Sequence, residues 1–382
     1  MSLSAFSIDI TLPLFGAIAT NLATSIDHIP LMVTLYVVSL GIGQFVFGAL
    51  SDRVGRLSAL LIGMCFFVFG ALLAALSESF SSLITARAIQ GFGAAAPYIL
   101  SRAIIRDMYQ GTELAQKMAI ATGIFSVGPL LAPLFGALVL EMQGNWRWIF
   151  IIMAIYCAGM IVTLKFVAET ITYKNAEATK FSTLLHNTKR VLTHQQSRMF
   201  IIVNVVITTS MLLIISTSAS VYAKSFNITG SAFAFYYAVH AIGIIVGQIA
   251  NHRLIGIIGI IPTTIVATSV MLVGSISISV CALTHNLTPW GVSLSITVFA
   301  LGFLGVVANA TSMLLEPHGK IIGFTVALQG TLTMFGSGLL ASVLSVYVQH
   351  NVAIWGLVIA CGPVLVFLIL SRWHLNIKTH SI

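Results

Sequence analysis

Ten Asp and Glu residues serve a chain of 382, and only Asp9 falls clearly inside a long apolar stretch. A charge at a bilayer centre costs about 2.5–3.5 kcal/mol on insertion scales, so such residues face protein and usually serve function. A buried carboxyl can carry a proton, because its surroundings decide whether it is ionised. The other reading makes Asp9 a helix-end residue hydrogen-bonded near one membrane surface. Arg87 is the second intruder, and it stays charged. It either senses the protonation of Asp9, or binds an anionic group, or anchors to backbone carbonyls. The two lie at different depths along their helices, and no direct pair between them is inferred.

His240 sits midway along another apolar segment, with Tyr236 one turn before it. The pair serves either as a proton relay and ligand contact or as an interhelical hydrogen bond. Asn204, Asn309 and Gln329 line a cavity or link helices in the same way. No Ser/His/Asp set, HExxH or phosphate loop occurs, so enzyme chemistry has no visible nucleophile or base. Cys65, Cys157, Cys281 and Cys361 lie in four different segments, and His186 and His194 lack ligand spacing. We therefore expect no metal site, and read the cysteines as small buried hydrophobes.

The elements that position these residues follow from composition. The chain is 58% hydrophobic and 7% charged, against about 25% charged in an ordinary soluble domain. So few charges cannot cover a water-facing surface, and the bilayer must be part of the solvent. Spanning helices are expected near 3–22, 31–50, 58–77, 81–103, 117–140 and 147–168. A second set is expected near 199–223, 229–250, 255–283, 289–314, 320–345 and 352–371. Each is about the 20 residues a span requires and twice the length of a barrel strand. The expected division is a six-helix bundle over 1–168, a polar linker over 169–198, a second bundle over 199–371 and a tail over 372–382. Met1–Ile8 has no basic region, so a retained first helix is expected rather than a cleaved leader.

With the N-terminus inside, fifteen of the eighteen Lys and Arg fall on inner loops and tails, from Arg53 and Arg56 to Lys320, Arg372 and Lys378. Arg147 and Lys224 fall outside. This asymmetry explains the net charge of +8 without a nucleic acid partner. It predicts cytoplasmic N- and C-termini.

The fifth segment contains GIFSVGPLLAPLFG, Gly123–Gly136. Pro129 and Pro133 remove backbone donors and should bend it, while Gly123, Gly128 and Gly136 permit close approach. This suits a moving interface, or packing without motion. The loop after the second segment reads GALSDRVGR, Gly48–Arg56. It resembles the G-x-L-x-D-R-x-G-R loop of the major facilitator superfamily. LITARAIQGFGAAA, Leu83–Ala96, is similar to the R-x-x-Q-G-x-G-A motif of drug:proton antiporters. Gly128–Gly136 resembles their helix-five motif, from which Ala132 and Ala137 depart. DITLP at Asp9–Pro13 looks like the Asp-Pro motif of twelve-helix exporters. SRAIIRDMY at Ser101–Tyr109 and NWRWIF at Asn145–Phe150 resemble the bicyclomycin/chloramphenicol-resistance (Bcr/CflA) branch. ANHRL, Ala250–Leu254, is a degenerate echo of the loop in the second half.

The resemblance implies an all-α membrane protein of major-facilitator type, twelve transmembrane helices in two six-helix bundles. It implies a monomeric exporter that alternates access between the two sides, trading a small molecule for protons, with no cofactor beyond the coupling ion. By that analogy Asp9 and Arg87 couple protons, and Gln90, Tyr236, His240, Asn309 and Gln329 face the substrate. Gly48, Asp52, Arg53, Gly55 and Arg56 gate one side, and Gly128, Pro129, Pro133 and Gly136 shape the antiporter helix. A cavity with few charges is expected to suit lipophilic, neutral or cationic compounds. An uptake or metabolite transporter on the same fold is the alternative, and a non-transporting sensor or degenerate paralogue a third.

Overall fold

The computed structural model describes residues 2–171, 174–348 and 351–380. Residues 172 and 173 of the expected linker and 381 and 382 of the expected tail lie outside the described residues, as do the side chains of Lys320 and Lys378. The described secondary structure is helical throughout. The order is α1 (Ser2–Asp9), a 3-10 turn (Leu12–Leu14), α2 (Phe15–Asn21), α3 (Pro30–Val54), α4 (Arg56–Ala75), α5 (Phe80–Met108), α6 (Gly111–Gln143) and α7 (Arg147–Thr163). Next come α8 (Phe181–Thr193), α9 (Gln195–Phe226), α10 (Gly230–Ala238), α11 (His240–Ile258), α12 (Ile260–Leu283), α13 (Pro289–Leu315), α14 (Ile322–Val348) and α15 (Val352–His380).

Local chemistry sets the helix ends. Pro30 opens α3 at a position whose N–H would be unpaired anyway. Ser79 and Ser82 form a reciprocal cap on α5. Thr288 caps α13 through the Gly291 N–H, with Pro289 beside it. Gly144 closes α6 in the left-handed conformation.

The expected continuous helix over 3–22 is broken after Asp9. Pro13 has no N–H to give the Asp9 carbonyl, so the α-helical ladder stops there and resumes through a 3-10 turn. The eighth span is interrupted at Val239, beside the His240 imidazole, whose Nδ1 donates to the Tyr237 carbonyl. Two other bounds shift. The seventh span begins at Gln195 inside the expected linker, and the twelfth runs to His380 through most of the expected tail.

Nine of the described helices, α10 and α11 counted as one, are long and apolar enough to cross a membrane. The interrupted first span, α5 with its Arg87, Arg102, Arg106 and Asp107, and α6 complete twelve. Large apolar side chains such as Phe69, Ile155, Val273 and Val343 are more than half exposed, which water would not tolerate over so wide a surface.

The halves repeat one packing pattern. In the first, α3, α4 and α5 pack on one another, and in the second, α11, α12 and α13 do the same. Small residues bring these backbones together. A Cβ on Gly91 of α5 would sit 2.2 Å from the Tyr36 carbonyl oxygen of α3. In the second half a Cβ on Gly247 of α11 would sit 1.9 Å from the Leu301 carbonyl oxygen of α13. Between the halves, α14 lies along α3, and α6 lies against α10 and α11.

This packing has a direct consequence. Gly91→Ala forces two helices apart and should cost about 1–3 kcal/mol, the usual range for overpacking. Gly159→Ala, where a Cβ meets nothing within 4 Å, should melt like the parent chain. Thermal melting of the purified protein in detergent, followed by Trp fluorescence, compares the two. Equal melting temperatures would contradict the close contact of α3 and α5.

Candidate functional site

The first cluster forms around the break in the first span. Asp9 is 4% exposed, and its Oδ1 has no hydrogen-bond partner among the described residues. Three elements converge on it. Gly136 of α6 packs so closely that a Cβ there would lie 2.1 Å from the Ile10 carbonyl oxygen. Tyr237 of α10 is buried, its hydroxyl has no hydrogen-bond partner among the described residues, and its helix packs against the turn Leu12–Leu14 that follows Asp9. His240 stacks beside Tyr237 with ring centroids 4.3 Å apart. The break beside this first-half carboxyl therefore meets the second half, where both interrupted spans pack against α6.

Arg87 stands on the opposite flank of α1. Its guanidinium donates to Gln90 Oε1 at 2.7 Å and to the Ser7 carbonyl at 3.2 Å. It also lies 4.2 Å from the centre of the Tyr36 ring, a favourable cation–π geometry. The Tyr36 hydroxyl donates to the Ser4 carbonyl, and the Ser4 hydroxyl to the Ala94 carbonyl. These bonds fasten α1 to α3 and α5. Arg87 reaches the turn before Asp9, but no ion pair joins the two among the described residues.

A cavity of about 350 Å³ lies between the halves, with walls from α3, α5, α9, α11, α13 and α14. Gln44, Arg102, Thr208, Gln248, Thr311 and Gln329 are its polar lining, and Phe303, Leu304, Val307 and Met334 its apolar wall. Of the five residues expected to face substrate, Gln329 alone is among the described lining residues of this cavity. Gln90 is fully buried and occupied by Arg87 and the Met153 sulfur. Asn309 is clamped to Asn251 and Thr264, joining α13 to α11 and α12. Tyr236 stacks in an aromatic group with Tyr222, Phe235 and Trp290. His240 turns to Tyr237, not Tyr236, because its ring bonds three residues back. The one charged residue among the described lining of this cavity is Arg102.

The loop Gly48–Arg56 builds a polar cluster at the end of the bundle rich in Arg. Arg56 donates from Nη1 to Asp52 and to Ser51 Oγ, and from Nε to Asp107 Oδ2 at 2.9 Å. Arg53 donates to Thr179 Oγ1 at 3.0 Å. Gly55 has φ +113°, and a Cβ there would lie 2.4 Å from the Glu169 carboxylate. That carboxylate accepts from the N–H groups of Arg56 and Leu57, capping α4 from outside the helix. Gly48 meets Ala327 of α14 in the second half. At the far end the halves are tied by the Lys224–Asp27 ion pair and by Ser220 Oγ donating to the Ile26 carbonyl.

Of the expected antiporter-helix residues, Gly128 is buried, Pro129 and Pro133 lie within a helix unbroken from Gly111 to Gln143, and Gly136 touches the Asp9 region. Gly123 makes no close approach. Sequence reasoning missed Tyr237, Arg102, Gln44 and Glu169. The signal for Tyr237 was its spacing of three from His240. Arg102 lay in the SRAIIRDMY string already noted.

Residues 1–341 match a family model described as Major Facilitator Superfamily. The "Uncharacterized MFS-type transporter YdgK" of Bacillus subtilis is 28% identical over 359 residues, 91% of this chain and 86% of that one. The "Bicyclomycin resistance protein homolog" of Haemophilus influenzae is 22% identical over 352 residues, 90% of this chain and 86% of that one. Among solved structures, a partially occluded inward-open conformation of the xylose transporter XylE from E. coli superposes with a TM-score of 0.75. It covers 97% of this chain and 94% of that one at 15% identity, a likeness of fold.

The Glu169 cap is testable by pH. Partial burial pushes its carboxyl up, but the N–H groups of Ile171, Arg56, Leu57 and Thr170 outweigh this and hold it below its ordinary value of 4.5. A lowered carboxyl stabilises the fold above its unfolded value, and that contribution fades as pH falls through the folded one. Glu169→Gln should therefore lower the melting temperature at pH 7, while the two proteins converge as pH falls through the lowered value of the folded carboxyl. A gap that persists unchanged into acid would contradict the charged cap.

Proposed function

Because the chain belongs to the Major Facilitator Superfamily, we propose that it is a proton-coupled exporter of drug-like small molecules working by alternating access. The carrying observation is Asp9, a buried carboxyl without an ion pair, placed where the two halves touch. A carboxyl so placed changes the charge of the interface by one unit each time it takes or releases a proton. That change can bias two packings of the same halves. Arg87 holds α1 in place through Ser7 and Gln90 and is its positive background.

In the geometry shown, the Asp27 end is tied across the halves, and the cavity lies nearer the Arg-rich end. We read that end, and both termini, as lying on the cytoplasmic side of a bacterial inner membrane, a reading that the Lys and Arg distribution supports. Substrate enters the cavity from that side. Opening of the Asp27 end releases it and admits a proton to Asp9. The Arg56–Asp52–Asp107 cluster and the Glu169 cap brace the first half where the linker crosses. We read residues 1–168 and 199–371 as the two moving halves of a monomer. The relative named for bicyclomycin resistance supports a drug-like substrate.

Expression in a pump-deleted bacterial host should raise resistance within an antibiotic panel that includes bicyclomycin. Proteoliposomes then separate coupling from movement. With an imposed pH gradient, Asp9→Asn should lose gradient-driven transport by at least about tenfold, while unlabelled-for-labelled substrate exchange persists. Undiminished gradient-driven export by Asp9→Asn would sink the proposal, and acid-driven accumulation in the opposite direction would reverse its sign.

A further inference from the structure

We propose that the cavity between the halves selects small organic carboxylates with an apolar body, recognised by Arg102 and Gln44. This rests on reading that cavity as the substrate site, and it names the chemistry the site accepts. Arg102 lines the cavity and lies 5.1 Å from the centre of the Tyr98 ring. It has no ion-pair partner among the described residues. Its planar fork of N–H donors suits two carboxylate oxygens at once. Gln44 sits on the facing helix and is 2% exposed. Its Oε1 is pressed against Gly330, where a Cβ would come within 2.0 Å, and its Nε2 has no partner among the described residues. A buried donor in that condition is destabilising until an acceptor arrives.

The rest of the cavity agrees in sign. None of the ten carboxylates of the chain is among its described lining residues. A cationic ligand would meet Arg102 with nothing to offset it, in surroundings that screen charge poorly. Gln248 and Gln329 add further amide groups. Phe303, Leu304 and Val307 supply an apolar wall for the ligand body. The volume of about 350 Å³ lies at the small end of ligand pockets. It suits an aromatic acid of one or two rings.

Three probes share one body and differ in the head group: indole-3-acetate, indole-3-acetamide and tryptamine. Calorimetric titration into the purified full chain in lipid nanodiscs should rank them in that order. Indole-3-acetate should bind at least about tenfold more tightly than tryptamine. Arg102→Gln should weaken indole-3-acetate by about tenfold or more and change the acetamide little, and Arg102→Lys should restore part of the loss. Melting curves establish that each variant is folded. If Arg102→Gln is not, the ranking in the parent chain and in Arg102→Lys decides the matter. Tryptamine binding as well as the acetate overturns the proposal, as does an unchanged preference in Arg102→Gln or failure of all three probes to bind. Binding with the predicted ranking but without gradient-driven transport would leave this inference standing and count against the exporter reading alone.

Discussion

A polar group inside a bilayer has to find its partner within the protein, and most buried polar groups of this chain do, whereas Asp9 Oδ1 is the one carboxylate oxygen among the described exceptions. Hydroxyls such as those of Thr209, Thr264 and Thr268 donate to a carbonyl one turn back. Asn309 and Asn251 satisfy each other across helices. Arg87 is fully buried yet bonded to Gln90 and Ser7 and stacked on Tyr36. Against that background an unpartnered carboxyl oxygen in the first span is conspicuous. The surrounding structure is arranged about it: Pro13 breaks the span, Gly136 brings α6 to the break, and α10 packs there from the other half.

The packing explains how so small a chemical change can have a large effect. Within each half, glycines bring backbones into contact, so each three-helix core is packed as a unit. Between halves the contacts are concentrated along α3 with α14, where Gly41 and Gly338 also bring the helices close, and along α6 with α10 and α11. A rigid body on each side of a narrow interface is the arrangement in which rocking, rather than local deformation, answers a change of charge. Asp9 belongs to the interface, whereas the Arg56 cluster braces the first half from one end and the Lys224–Asp27 pair holds the halves at the other.

The sequence was most legible where physics works through averages. The apolar stretches, their number and the loop Gly48–Arg56 could be read directly, because span length and a turn needing Gly55 at positive φ leave few alternatives. Asp9 and Arg87 stood out for the same reason, as charges against an apolar background. The substrate-facing residues were less legible. Gln90 and Asn309 are as polar as Gln44 and Gln248, and which of them faces a cavity depends on helix rotation, which an apolar span with no amphipathic stripe does not reveal. Tyr236 was preferred to Tyr237 because a spacing of four suggests a shared face, but the imidazole bonds backward by three and carries the helix through an interruption. Glu169 was invisible as a cap because its partners lie more than a hundred residues earlier.

The central claim is that Asp9 takes and releases a proton while buried between the halves. Difference infrared spectroscopy of the reconstituted protein, recorded between acid and alkaline buffer, follows the carbonyl stretch of a protonated carboxyl directly. The account predicts a pH-dependent carboxylic acid band in the parent chain that disappears in Asp9→Asn. An identical band in both proteins, or none in the parent chain across the range where it transports, would contradict it.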